Sequence, residues 1–403
     1  MPDNRLPDGW AAQRVSALFE ILDSHRVPLN DSERAQMKGE YPYYGANGVV
    51  DHIDKWIFDE DLILVAEDGG HFEDFRNRPV AYRVSGKCWV NNHAHVLKPR
   101  DSKLANYLFH QLEHRDLSLY INGSTRSKLT QADLVRIELP VPGRHEAARI
   151  AEVLDAIDAA IEKTEAVIAA TERLRAALLA ELLSRGVPGW HTEWKEAPGI
   201  GTIPACWKVV KFGEVLASVV YGTNVLTSDS PEGTPVLGMK HIRDGEVTPE
   251  ALARGVLPDG ERDELLLRRG DILFNRTNSI DLVGKVGIVR DVDGEMSFAS
   301  YLLRLRTKAE CLDPWWLIAF LNHGPTQTAL RRMATKGASQ ANINPTSLRS
   351  LTVPLPSLKE QQNICAVTES LRDRQVVEGH LLENLQASKM RVASALLSGR
   401  VRV

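Results

Sequence analysis

Asn, Arg and Gln side chains can pair two-pronged with the edge of a purine, and this chain sets runs of them beside apolar stretches. Asn275-Arg276-Thr277-Asn278-Ser279 follows Ile272-Leu273-Phe274. Asn275, Arg276 and Asn278 can address adenine or guanine edges, while Ser and Thr suit phosphates or either base. Ser124-Thr125-Arg126-Ser127-Lys128 comes after Gly123, and Ser339-Gln340-Ala341-Asn342-Ile343-Asn344 comes after Gly337. Tyr43-Tyr44-Gly45-Ala46-Asn47 and Tyr221-Gly222-Thr223-Asn224 add rings for stacking and groups for hydrogen bonding. Together they nominate Tyr43, Tyr44, Asn47, His71, Ser124, Arg126, Ser127, Lys128, Tyr221, Thr223, Asn224, Lys240, Asn275, Arg276, Asn278, Gln340, Asn342 and Asn344 as DNA-contacting residues. Any one of these loops alone also reads as a solvated turn.

Other chemistries leave little trace. His93-Ala94-His95 with Asn91-Asn92 could be imagined as a metal site, but alternating histidines on a strand more often satisfy local partners, and no metal is expected. Glu67-Asp68 beside His71 suggests acid–base or nuclease work, against which stands the plainer reading of an acidic turn, Glu-Asp-Gly-Gly. There is no GxxxxGK[ST] phosphate loop; Gly284-Lys285-Val286-Gly287 lacks the upstream glycine and the hydroxyl. No GxGxxG follows a strand, and Asn344-Pro345-Thr346-Ser347 does not complete the Asn-Pro-Pro-aromatic tetrad of amino-methyltransferases. No catalytic constellation and no cofactor are therefore expected.

The elements that must position these loops occur twice. Gly123–Pro142 aligns with Gly337–Pro356 at an offset of 214 residues, with Leu134/Leu348, Pro140/Pro354 and Pro142/Pro356 in register. The same offset matches Glu146 to Glu360, Ile150 to Ile364 and Leu182-Leu183-Ser184 to Leu396-Leu397-Ser398. The openings Leu6–Trp10 and Ile203–Trp207 match at an offset of 197, so the length difference lies in the globular part. Several matches at one offset indicate duplication.

Each half ends in a helical pattern. Ile150, Leu154, Ile157, Ile161, Ile168, Leu174, Leu178 and Leu182 recur mostly at three- or four-residue spacing, with no Pro or Gly between Arg144 and Arg185. Gly186 and Pro188 supply a stop. The second copy opens with Ser357 and Glu360 at capping-box spacing and continues through Ile364, Val367, Leu371, Leu381, Leu385, Val392 and Leu396. Forty helical residues span roughly 60 Å. The expected fold is α+β: two mixed α/β domains separated by two long helices packed as an antiparallel coiled coil, with a pseudo-twofold internal repeat. The packing set is Ile150, Leu154, Ile157, Ile161, Ile168, Leu178, Leu182, Ile364, Leu371, Leu385, Val392 and Leu396. Boundaries fall at 1–143, 144–187, 188–356 and 357–403. Strands are expected at Trp56–Phe58, Leu62–Ala66, Cys88–Val90, Asp271–Phe274 and Val286–Val289, and a buried helix at Pro314–Leu321.

Length and composition agree with this plan. The 403 residues allow two to three domains, and 43% apolar with 25% charged residues is ordinary globular composition. The net charge of −4 argues against a generic nucleic-acid coat protein. Cys88, Cys206, Cys311 and Cys365 form no CxxC pair, so a reducing cytoplasm is the expected setting. Apolar runs are too short to span a bilayer, and MPDNRLPDGW is not a signal peptide.

With the openings, Gly270-Asp271-Ile272-Leu273 followed by Asn275-Arg276, the two Gly-to-Pro stretches and the paired helical tails in place, the chain resembles the specificity subunit of type I restriction–modification enzymes over nearly its whole length. The resemblance implies a non-catalytic subunit whose two target-recognition domains read a split site on double-stranded DNA, with helices that set the spacing. It implies, as partners, two modification subunits that methylate adenine and restriction subunits that cut DNA, with no membrane. Family members usually show Glu-Gln after the helix-starting proline. The second half keeps Glu360-Gln361-Gln362, whereas the first has Glu146-Ala147-Ala148, which implies a different contact of the first helix with its partner subunit. A catalytic DNA methyltransferase or nuclease acting alone, and a tandem-domain scaffold that binds no DNA, remain as alternatives.

Overall fold

The computed structural model describes residues 6–123, 127–337 and 340–403. It divides into two compact units, residues 1–167 with 378–403 and residues 168–377. Each unit contains part of both long helices, Arg144–Arg185 and Leu358–Leu397. No helix among the described residues is long and apolar enough to cross a membrane.

The duplication seen in the sequence is a duplication of backbone. In the first unit, strand Ala11–Arg14 pairs antiparallel with Glu138–Val141, Ala11 opposite Val141. In the second, Lys208–Lys211 pairs with Thr352–Leu355, Lys208 opposite Leu355, the same register after the two offsets. The central antiparallel sheet of the first unit runs Phe19–Ile21, Ala94–Pro99, Leu62–Ala66, Ala81–Val84. The second unit repeats that order with Leu216–Tyr221, Leu302–Thr307, Ile272–Asn275 and Val286–Ile288, and extends it by Glu246–Val247 and Ile242–Arg243. Leu62–Ala66 is buried at every residue, as a continuous apolar run in a central strand requires. The apolar helix Pro314–Asn322 is capped by Asp313, whose carboxylate accepts from the Trp315 amide at 2.8 Å, with proline at the first turn. Trp56-Ile57-Phe58 is not a strand: only Phe58–Asp59 is, and the Trp56 ring stays exposed with the Lys87 ammonium 4.0 Å from its centroid. That cation–π contact gives the ring a partner without burying it.

Within each unit the helices pack antiparallel. Ile150, Leu154 and Leu396 are buried in the core of the first unit, and Val392 packs against it. Leu182 and Ile364 are buried in that of the second, with Leu178 beside them. Ile157, Ile161, Ile168, Leu371 and Leu385 are half-buried. Leu174, Val367 and Leu381 depart from the expected seam and are exposed. Their places in a looser three-to-four spacing rotate them off the buried stripe.

The start of each helix is held by the opening tryptophan of its own unit. Trp10 Nε1 donates to Glu146 at 3.2 Å and Trp207 Nε1 to Glu360 at 2.9 Å. Glu360 therefore completes only half of the capping box: its amide donates to the Ser357 hydroxyl at 3.3 Å, while its carboxylate serves Trp207 and His191. A helix-stop glycine sits against each assembly. Gly186 has φ +73°, and a Cβ there would collide with Glu360 and His191; Gly399 has φ +70°, and a Cβ would strike Pro7. Part of the Glu-Gln departure is internal as well. Gln361 is fully buried, donating to the Cys311 and Pro356 carbonyls at 2.9 and 3.0 Å and accepting from the Asp313 amide at 2.8 Å. It fixes a turn of its own unit, and Ala147 is buried in the first unit. At this position the difference lies in core packing, while the next pair, Gln362 and Ala148, is exposed in both units.

A repeated charged clamp fastens each sheet to a helix. Arg83, on Ala81–Val84, reaches Asp155 at 2.7 Å and lies 4.4 Å over the Phe109 ring. Arg290, just after Val286–Ile288, holds Glu369 through two bonds of 2.7 and 3.0 Å and lies 4.8 Å over Trp315. Asp155 and Glu369 stand at the 214-residue offset. Beside the first clamp, buried Lys389 pairs with Glu113 at 2.7 Å and Asp158 at 2.6 Å. Burial alone would raise the Glu113 carboxyl, but His110 and the Lys389 charge outweigh it and hold it down at about 2. A depressed carboxyl stabilises the fold fully above its unfolded value, roughly 4.3, and the contribution fades as pH falls toward 2. The expected loss across that window is about 3 kcal/mol from this group. Glu113→Gln should flatten the acid limb of stability measured by denaturant melts between pH 5 and 2.5; an unchanged limb would show that Glu113 is not held down.

Candidate nucleic-acid interface

In the second unit the polar loops converge. After strand Ile272–Asn275 the chain makes a short strand, Thr277–Asn278, paired with Ala341–Asn342, and the Ile343 amide donates to the Arg276 carbonyl at 2.9 Å. The loops at 275–278 and 340–344 are therefore neighbours. The Arg276 guanidinium lies 5.0 Å from the Tyr221 ring centroid and donates to the Ser300 carbonyl at 3.2 Å. Ser300 and Tyr301 line a cleft of 370 Å³ together with Thr223, Asn224, Lys240 and His241. Asn278 Nδ2 reaches the Met239 sulfur at 3.5 Å, next to Lys240. Tyr221, Thr223, Asn224, Lys240, Arg276, Asn278 and Asn342 thus belong to one cleft and its rim, with Gln340 exposed beside them. Asn344 caps the helix Pro345–Arg349 by accepting from the Ser347 amide at 2.8 Å. Asn275 does not reach the surface: it ends a central strand, is fully buried, and its carboxamide has no hydrogen-bond partner among the described residues.

The first unit has the same frame and different chemistry. The Leu129 amide donates to the Glu67 carbonyl at 2.8 Å, the repeat of the Ile343–Arg276 bond. Glu67 therefore occupies the backbone place of Arg276. Burial would raise its carboxyl, yet the bonds from Arg26 at 2.6 Å and Lys128 at 3.0 Å dominate and hold it below the usual range. Asn47 Nδ2 donates to the Gly69 carbonyl at 2.9 Å, so the tyrosine loop meets the acidic turn that ends near His71. Burial, with Arg78 nearby, lowers the His71 imidazole, which favours its neutral form. Ser127 is half-buried and Lys128 exposed; Ser124 and Arg126 lie outside the described residues. Tyr44 is half-buried and stacked on Tyr82 at 5.8 Å. Tyr43 is 1% exposed, its hydroxyl accepting from the Leu29 amide at 2.9 Å, so its ring belongs to the core and not to a stacking surface. A cleft of 800 Å³ opens here, lined by Asn30, Arg34, Asp68, Asn91, Asn92 and His93 among others.

Several of these residues carry no spacing signal. Arg26 and Arg34 lie in a polar stretch without periodicity, and Tyr301 is a single aromatic in a turn. The Asn91-Asn92-His93 run was visible, but as a metal candidate. Asp23, Glu67 and His95 do bring possible ligand atoms within 4.8 Å of one another. Arg26 lies 3.5 Å from Asp23 and 2.6 Å from Glu67, and Lys128 also reaches Glu67. The His95 nitrogens are taken by Asp23 at 2.6 Å and the Leu129 carbonyl at 2.9 Å. Cationic side chains already balance the carboxylates, so the cluster reads as a buried ion-pair network.

Comparison with known proteins agrees with this architecture. The family model described as the type I restriction modification DNA specificity domain matches twice, at residues 7–172 and 204–386. The chain is 24% identical to the type I restriction enzyme MjaVIII specificity subunit of Methanocaldococcus jannaschii over 99% of its own length and 94% of that protein. It is 32% identical to a putative type I restriction enzyme specificity subunit of Haemophilus influenzae, over 36% of each chain. The crystal structure of a type I restriction–modification S subunit from M. genitalium superposes with a TM-score of 0.60 at 14% identity, covering 98% of this chain and 97% of the other, which shows the shared fold. Two matched domains on a duplicated scaffold place the chain in the family of type I restriction–modification DNA specificity subunits.

Proposed function

We propose that this specificity subunit reads a split site on double-stranded DNA, one part through residues 1–143 and the other through 188–356. The spacers at 144–187 and 357–403 set the unread gap and bind two modification subunits, which methylate adenine within the site. Restriction subunits join that assembly to cut DNA. The chain supplies recognition, and the partners supply the chemistry.

One observation carries this reading. On one hydrogen-bonded frame, the first unit holds Glu67 where the second holds Arg276. Arg276, at the rim of the cleft, can pair with the O6 and N7 of guanine, whereas Glu67 is held by Arg26 and Lys128, so the first unit reads with other groups. A scaffold kept in register while the chemistry at one backbone place differs suits two readers of different sequences. With a net charge of −4, the chain itself offers little long-range attraction to phosphates, which fits a subunit whose partners help hold the duplex.

The spacing role is tested by lengthening both helices. Four residues inserted after Ala169 and four after Glu383 add roughly 6 Å to each helix and rotate it by roughly 40°. At about 3.4 Å per base pair, the gap should grow by nearly two base pairs while both read blocks persist. The insertion acts as a stutter in the helix seam, so some stability is lost. Methylation mapping with the modification subunits reads the gap; an unchanged gap at full activity would mean that the helices do not set it.

A further inference from the structure

The anchor at the start of the second helix contains an arrangement its counterpart lacks. His191, whose side chain is 7% exposed, points Nε2 at Glu360 Oε1, 2.6 Å away, and Nδ1 at the Cys206 sulfur, 3.4 Å away. An ionised carboxylate only accepts, so Glu360 keeps the proton on Nε2 and leaves the Nδ1 lone pair facing the thiol. Cys206 sits in an exposed turn. Nucleophile, base and orienting acid are thus in line, the geometry by which thiols are activated.

The fold does not need this arrangement. In the first unit, Gly9 takes the place of Cys206 at the 197-residue offset, and Arg402 takes that of His191, with Nη2 2.8 Å from Glu146. The tryptophan–glutamate anchor closes there without a thiol. Cys88 and Cys365 are buried and Cys311 is half-buried; burial pushes Cys88 up to about 12 and raises Cys311 and Cys365.

We propose that Cys206 is a base-activated thiol and a site of covalent modification by small electrophiles and small disulfides. His191 Nδ1 takes the thiol proton as the sulfur attacks. With a disulfide, one new S–S bond forms, the old one breaks, and the departing thiolate recovers the proton from the imidazolium. With iodoacetamide, an S–C bond forms and iodide leaves.

The test uses the full chain, limiting iodoacetamide at pH 7, and peptide mass mapping. An exposed thiol is only a few per cent ionised at that pH, which leaves room for a gain of about tenfold or more. Cys206 should label first, about tenfold faster than the same cysteine in the denatured chain, and oxidised glutathione should form a mixed disulfide there. His191→Gln should remove the gain while circular dichroism stays unchanged. Cys206→Gly, the residue of the first copy, should remove fast labelling at unaltered melting temperature. Folded Cys206 reacting no faster than denatured Cys206 would overturn the proposal. So would a folded His191→Gln chain that reacts as fast as the parent. Should His191→Gln not fold, the comparison of folded with denatured parent chain decides alone.

Discussion

Replacing residues 203–336 with the corresponding segment of another specificity subunit is expected to change one block of the methylated sequence and leave the other intact. The exchanged stretch contains strand Ile272–Asn275, Arg276 and the cleft lined by Thr223, Asn224 and Lys240. It omits the strand Thr352–Leu355 and the second helix, which carry the repeated frame. Each mismatched base pair costs about 1–3 kcal/mol, so a block of several bases switches recognition by orders of magnitude. Methylation mapping before and after the exchange reads the result. Change in both blocks would mean that the two units do not read separately.

The largest stability effect is expected at Lys389. Its ammonium bridges Glu113 and Asp158, and its side chain is 9% exposed. Lys389→Met removes the ammonium between two carboxylates in a desolvated pocket, leaving Asp158 with Arg83 at 3.7 Å and Glu113 with His110 at 3.7 Å. Breaking a buried pair by removing one partner costs about 3–5 kcal/mol. The triple variant Lys389→Met, Glu113→Gln, Asp158→Asn should recover a large part of that loss, because no buried charge remains unpaired. Urea melts of the three proteins give the comparison. A loss below about 1 kcal/mol for Lys389→Met would show that the carboxylates reach solvent.

The duplication was legible because it is written in backbone requirements. Prolines at strand ends and the tryptophan–glutamate anchors tolerate few substitutes, so they stay in register at 214 and 197 residues. The clamps were not legible. Asp155 and Glu369 keep the offset, but Arg83 and Arg290 approach from parts of different length, and only folding brings them together. Polar residues after apolar strands pointed to Arg276 and Asn278, which the fold places at the rim of one cleft. The same rule nominated Asn275, because the strand continues one residue further than its apolar stretch. Tyr43 misled for the reverse reason: neighbours on a strand present opposite faces, so Tyr43 enters one small core while Tyr44 packs half-buried against another. Gln361, from the Glu-Gln motif, is a buried brace of its own unit, while Gln362 beside it is exposed.

The central claim is that one chain carries two independent readers. Its most direct test is base-resolution methylation sequencing of DNA exposed to this chain together with its modification subunits. The account predicts two short specific blocks separated by an unread gap of fixed length, and no methylation at those sites when the chain is omitted. A single uninterrupted motif, or the same methylation pattern in its absence, would contradict the account.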